Sequence, residues 1–215
     1  MRFEDRQDAA RQLADALWRY RDRHPLVLAI PRGAVPMGAE LARRLNGELD
    51  LVMVRKLRSP HNPELAIGAI DETGRTYMVP HATSAGMTPA YLEGERRLQL
   101  DEMQRRRALY TPQRAPLPIA GRTVIVVDDG LATGATMIAS LHAVRGCHPA
   151  WLVCAVPVAA PQSLIPVRPL ADEVVCLHAP IDFAAVSQWY RSFPQVEDAE
   201  VVALLRPAGP PEAPA

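Results

Sequence analysis

The run Thr123-Val124-Ile125-Val126-Val127 constrains this chain more than any other stretch. Its aliphatic residues do not alternate with polar ones, so both faces of the strand must be covered, which is the condition of a strand inside a parallel sheet. Leu26-Val27-Leu28-Ala29-Ile30 is a second run of this kind, ended by Pro31-Arg32-Gly33. Further strands are expected at residues 49–54, near 151–156 and at 173–177, with a hairpin of 66–70 and 76–79 around Asp71-Glu72-Thr73-Gly74. Helices are expected at residues 4–22, where Leu13, Leu17 and Tyr20 share a stripe, and at 35–45, 134–145 and 197–205. Thr88 as N-cap and Pro89 in the first turn open a long helix over residues 88–110. This alternation predicts an α/β fold, a mainly parallel twisted sheet with helices on both faces.

Composition bounds the function. The chain has 215 residues, 48% of them hydrophobic and 22% charged, enough for one good core with a small appendage and not for two large domains. Its 24 basic side chains balance 24 acidic ones, which removes the simplest electrostatic case for a nucleic-acid partner. The arginines of the long helix, among them Arg96, Arg97, Arg105, Arg106 and Arg107, are interleaved with Glu93, Glu95, Asp101 and Glu102, the pattern of a solvated face laced by local ion pairs. The first 25 residues are densely charged, and no apolar run approaches the roughly 20 residues of a membrane span, so a cytoplasmic protein with no membrane partner is expected. Cys147, Cys154 and Cys176 show no C-x-x-C spacing and read as reduced thiols. The proline-rich residues 207–215 read as a disordered tail.

In open α/β sheets ligands bind beyond the carboxyl ends of the strands. The strand ending at Val127 is followed by Asp128-Asp129-Gly130-Leu131-Ala132-Thr133-Gly134-Ala135-Thr136, two carboxylates and then a loop of small and hydroxylated residues that opens a helix. Unhindered N–H groups at a helix N-terminus bind phosphate, Thr133 and Thr136 add hydroxyl donors, and paired carboxylates hold sugar hydroxyls or a hydrated Mg²⁺. A tight strand-to-helix turn capped by Asp129 and Thr133 is the alternative. Residues 33–38 match half of a P-loop, but Ala39 and Glu40 stand where Lys and Ser/Thr must be.

The segment from Val126 to Thr136 resembles the phosphoribosyl pyrophosphate (PRPP) signature of the type I phosphoribosyltransferases: two aliphatics, two acids, two spacers and a five-residue phosphate loop. Pro31-Arg32-Gly33 stands where that family has a pyrophosphate loop, and Arg55-Lys56 where it has a mobile loop carrying a basic residue, here about residues 56–65. The stretch from Lys56 to Ile70, with Val186-Ser187-Gln188-Trp189-Tyr190, is similar to a bacterial branch known as predicted phosphoribosyltransferases.

The resemblance implies a core of residues 1–180, a small C-terminal hood over 181–206, and Mg²⁺-dependent transfer of a 5-phosphoribosyl group from PRPP to a nitrogen acceptor, such as a nucleobase, with release of pyrophosphate. It implies that Ala132, Thr133, Gly134, Ala135 and Thr136 hold the 5-phosphate, and that Asp128 and Asp129 hold the ribose hydroxyls directly or through metal-bound water. Arg32 and Gly33 grip pyrophosphate, and Lys56, the chain's single lysine, adds charge to the leaving group. Ala132 replaces the acid that 6-oxopurine enzymes carry at the start of this loop, which argues against their mechanism, and Gly130 replaces the usual aliphatic residue after the two acids. Glu64, Trp189 and Tyr190 are candidate acceptor contacts, with the aromatic cluster of Phe183, Trp189, Tyr190 and Phe193 readable either as a stacking wall or as the hood's own core. A homodimer is compatible with this reading. The rival function is a PRPP-binding sensor without turnover.

Overall fold

The computed structural model describes residues 2–62, 66–78, 87–112 and 114–206. Glu64, among the candidate acceptor contacts, and the proposed tail at 207–215 lie outside them. Five parallel strands form the central sheet: β1 (Leu26–Ala29), β2 (Glu48–Leu51), β6 (Thr123–Val127), β7 (Trp151–Val158) and β8 (Glu173–His178), in the spatial order β2-β1-β6-β7-β8. The other three, β3 (Val54–Arg58), β4 (Ala66–Asp71) and β5 (Thr76–Met78), form a separate antiparallel sheet.

The non-alternating runs divide their side chains between two cores, as the period of two in a strand requires. Val27, Ala29, Ile125, Val127, Val153 and Ala155 face α1 (Arg6–Ala16) and α2 (Val35–Arg44). Leu28, Val124, Val126, Leu152 and Cys154 face α4 (Ala135–Arg145) and α5 (Pro161–Val167). The expected α/β fold with helices on both faces is what forms. Gly38 lets α2 lie close on the sheet, because a Cβ there would come within 2.9 Å of Ala29 and Leu49. The P-loop half-match therefore marks helix-to-sheet packing.

Three boundaries differ from the sequence reading. The first helix stops at Ala16, and residues 18–23 tighten into a 3₁₀ turn that buries Tyr20, whose hydroxyl bonds Glu173 and accepts from the Trp151 indole. The strand expected over 49–54 ends at Leu51, after which the chain changes sheet. Lys56, expected at the opening of a loop, lies instead within β3, paired with Ala69 of β4. Three charges in five residues suit β3 because it is an edge strand, where charge guards an unpaired border. Its border is also served by the long helix α3 (Pro89–Tyr110), whose Glu95 accepts from the Arg58 N–H and whose Gln99 accepts from Arg55.

Chain order makes the site. Going from β1 the chain turns to β2 on one side and returns as β6 on the other, so the loops after β1 and β6 diverge at a topological switch point, where open α/β sheets leave a crevice. Ala29 and Val127 are in register, which sets the segment after Ile30 beside Asp128 and Asp129. The segment after β8 ends in α6 (Asp198–Leu205), which packs against α2 and α3.

Candidate functional site

Asp128 and Asp129 leave the end of β6 at the floor of the crevice. The Asp129 N–H donates to Asp128 Oδ1 at 2.9 Å, turning the two carboxylates into one compact acid pair. Burial, and then the neighbouring Asp129 charge, push the Asp128 carboxyl well above the usual carboxylate range. Burial also raises Asp129, and Arg6 opposes that rise. Arg6 is a residue the sequence reading overlooked. Its Nε and Nη2 both donate to Asp129 Oδ2, at 3.0 and 2.9 Å, and its Nη1 donates to the Pro194 carbonyl at 2.6 Å. No local motif announces it: Arg6 is one charge among many near the N-terminus, brought to Asp129 by the packing of α1.

The segment after β1 closes in from the other side. A Cβ on Gly33 would overlap Asp129 Oδ2, so only glycine allows this approach, and the Pro31-Arg32 peptide before it is cis. Arg32 points elsewhere: its Nη1 lies 3.4 Å from Asp198 Oδ1, which also accepts from the Tyr110 hydroxyl at 2.7 Å. Arg32 thus lines a cleft of about 400 Å³ shared with Arg105, Arg106 and Glu102 of α3. Lys56 is exposed on β3, with no contact to the acid pair among the described residues.

Residues 132–136 carry the chain from the acid pair into α4. Ala132, Thr133 and Thr136 are exposed, and Gly134 enters the helix at φ +75°, a conformation that favours glycine. The loop is braced from behind. Leu131 bridges to Ala159 after β7, and the Ser163 hydroxyl of α5 donates to the Ala132 carbonyl at 2.5 Å. The capped-turn alternative loses its main element, because the Asp129 carboxylate serves Arg6, and Thr133 Oγ1 reaches only the Ala135 N–H, at 3.4 Å. The first N–H groups of α4 have no intrahelical acceptors, as at any helix start.

The C-terminal segment covers the pair. The Tyr190 hydroxyl donates to the Asp129 carbonyl at 2.7 Å, and a side chain at residue 130 would come within 2.7 Å of Val186, so Gly130 makes room for that segment. Trp189 and Tyr190 are only 8% and 4% exposed. Trp189 packs edge-on to His178, and Tyr190 packs against Phe3 and Phe193. Both rings are core, and neither presents a free face to a ligand. Among the described residues no helix is long and apolar enough to cross a membrane, no three His, Cys, Asp or Glu side chains form a metal cluster, and the three cysteines are free.

A phosphoribosyl transferase domain model matches residues 2–190. Two strain versions of a Mycobacterium tuberculosis protein, named provisionally as phosphoribosyl transferases, are 42% identical over 204 residues, which is 94% of this chain and 46% of theirs. The chain thus spans about half the length of the curated relatives it matches. The crystal structure of TT1426 from Thermus thermophilus is 44% identical, with a TM-score of 0.87 over 95% of this chain and 98% of that one. An acid pair at the switch point, a glycine loop pressed against it and a helix N-terminus beyond it accord with these matches, and the chain belongs to the phosphoribosyl transferase family.

Proposed function

We propose that the chain transfers a 5-phosphoribosyl group from PRPP to a nitrogen acceptor and releases pyrophosphate. The observation that carries this reading is the placement of one acid pair between two anion-suited backbones, the Gly33 turn on one side and the opening of α4 on the other. A ribose carrying a phosphate at one end and a pyrophosphate at the other matches that order. Residues 132–136 take the 5-phosphate, the acid pair the ribose hydroxyls, and the Gly33 turn the pyrophosphate.

The reaction passes through an oxocarbenium-like ribosyl cation, so the protein's work is to orient the ribose, exclude water and favour departure of the pyrophosphate. Asp128 and Asp129 orient the ring by accepting from its hydroxyls, and their charge offsets positive charge growing on it. The residues fit a hydrated Mg²⁺ as well. Asp128 Oδ2 and Asp129 Oδ1 accept no hydrogen bond among the described residues, which leaves two carboxylate oxygens for water-mediated contact. When bound, that ion neutralises charge on the leaving group. The acceptor class stays at a nitrogen nucleophile, since the rings of Trp189 and Tyr190 are spent in the core.

The rival reading, a PRPP-binding sensor, draws on a specific observation. Arg32 faces Asp198, and Lys56 lies in an edge strand, so neither cation expected on the leaving group is aimed at it here. Pyrophosphate release from PRPP with Mg²⁺, measured over purines, pyrimidines and other nitrogen acceptors, separates the two. Turnover with one acceptor establishes the transferase, tight PRPP binding without turnover establishes the sensor, and absence of PRPP binding overturns both.

A further inference from the structure

Arg6 belongs to no part of the PRPP signature, yet its guanidinium is fully engaged at the acid pair. It is the first residue of α1, whose N-cap Asp5 accepts from the Asp8 N–H and so fixes the helix start. Its side chain is 10% exposed, and all three guanidinium nitrogens are used. Two nitrogens converge on a single oxygen, Asp129 Oδ2, and the third holds the Pro194 carbonyl, while the guanidinium lies 3.7 Å from the centre of the Phe193 ring. A guanidinium meeting a carboxylate usually spreads over both oxygens. Here one oxygen carries the whole pair, and Gly33 packs against the same atom. Asp129 Oδ1 is left with no protein donor among the described residues, on a carboxylate that cannot rotate without breaking two charge-assisted bonds.

Resting on the phosphoribosyl reading above, we propose that Arg6 is the positioning residue of the acid pair: by pinning Oδ2 of Asp129 it presents Oδ1, in one orientation, to the ribose hydroxyls. The contact also has a structural side. Phe3 pairs with Trp189 and Arg191 through backbone hydrogen bonds, and Ser192 donates to the Glu4 carbonyl, so the N-terminal stretch is bound to the C-terminal one independently of Arg6. Removing the guanidinium therefore leaves that seam in place, and its effect on ligand binding is separable from its effect on folding.

The test is a double-mutant cycle on PRPP affinity, read by calorimetry in the presence of Mg²⁺, with Arg6→Gln, Asp129→Asn and the pair together, and melting curves as the check on folding. A residue acting through Asp129 gives non-additive losses. Arg6→Gln weakens PRPP about tenfold, Asp129→Asn weakens it more, and the double variant matches Asp129→Asn alone. Arg6→Lys, which keeps the charge and loses the fork, falls between wild type and Arg6→Gln, and it supplies the cycle if Arg6→Gln does not fold. Losses that multiply in the double variant, or PRPP affinity in Arg6→Gln equal to wild type, would overturn the assignment. Failure of the wild-type protein to bind PRPP is a different result and removes the phosphoribosyl reading itself.

Discussion

The two halves of the loop after β6 are built on opposite plans. Residues 132–136 make few side-chain bonds: Thr133 and Thr136 project outward, and the bracing from Ser163 and Ala159 reaches only the backbone. A few positions earlier, Asp129 is held from three directions, by Arg6, by the Tyr190 hydroxyl and by the approach of Gly33. A backbone cradle at a helix N-terminus needs only its conformation to bind an anion. Adjacent half-buried carboxylates repel each other and lose hydration, so a cation and a fixed wall stabilise them. The phosphate half can therefore be written in one short run of consecutive residues, whereas the acid half needs residues from both ends of the chain.

Gly33→Ala tests the acid half most severely. The new Cβ overlaps Asp129 Oδ2, so either the carboxylate leaves Arg6 or the turn after β1 moves. The expected cost is about 1–3 kcal/mol of stability, with PRPP affinity falling by roughly a hundredfold or more, read by melting and calorimetry. A variant with wild-type affinity would show that the turn and the pair are not coupled.

Gly134→Ala applies the same kind of change to the phosphate half. It forces a side chain into φ +75° and sets a Cβ 3.3 Å from the Ser163 carbonyl. A loss of about 1–2 kcal/mol is expected from the backbone alone. Affinity for ribose 5-phosphate should fall as well, since the backbone conformation at Gly134 sets the N–H groups of this half. Thr133→Val is milder. Thr133 is exposed and makes one long bond, so melting should be unchanged while 5-phosphate affinity drops about tenfold, the worth of one hydrogen bond to a charged group. If Thr133→Val instead lowers the melting temperature, the loop is a structural turn after all.

This contrast also explains how far the sequence could be read. The aliphatic runs of β1 and β6 pointed to the parallel sheet, because a strand without alternation can only be interior, and the loops that follow two neighbouring strands had to meet. Asp128, Asp129 and residues 132–136 stand out in the sequence because they follow such a strand, whereas Gly33 is singled out only by the family resemblance, and the fold is what brings it against Asp129. Arg6 does not stand out, since nothing local distinguishes an arginine that will be buried 123 positions from its partner. Lys56 lies in a strand and not at the opening of a loop, because charge density suggests a loop while an edge strand tolerates the same charges. Gly130 registered as a departure from the family pattern, and only the fold supplies the reason, which is Val186 in the space above it.

The smallest expected effect concerns the acid pair without ligand. Burial and the neighbouring Asp129 charge raise the Asp128 carboxyl above its ordinary value of 3.8, so between that value and the raised one the folded protein binds this proton more tightly than the unfolded chain. Stability linked to this group is therefore full at pH below the ordinary carboxylate value and declines as pH rises through the window up to the raised one. Asp128→Asn removes the group that must ionise, and its amide oxygen can still accept from the Asp129 N–H. The variant should melt higher than wild type at neutral pH in metal-free buffer, by about 1 kcal/mol or roughly 2–4 °C, with the gap closing near the ordinary carboxylate range. PRPP affinity should fall in the same variant, because the charge that costs the empty protein stability is the one the ribose and its metal require. A variant no more stable than wild type at neutral pH would mean that Arg6 already neutralises the pair as a whole, and the distinction between a costly acid half and an inexpensive phosphate half would then disappear.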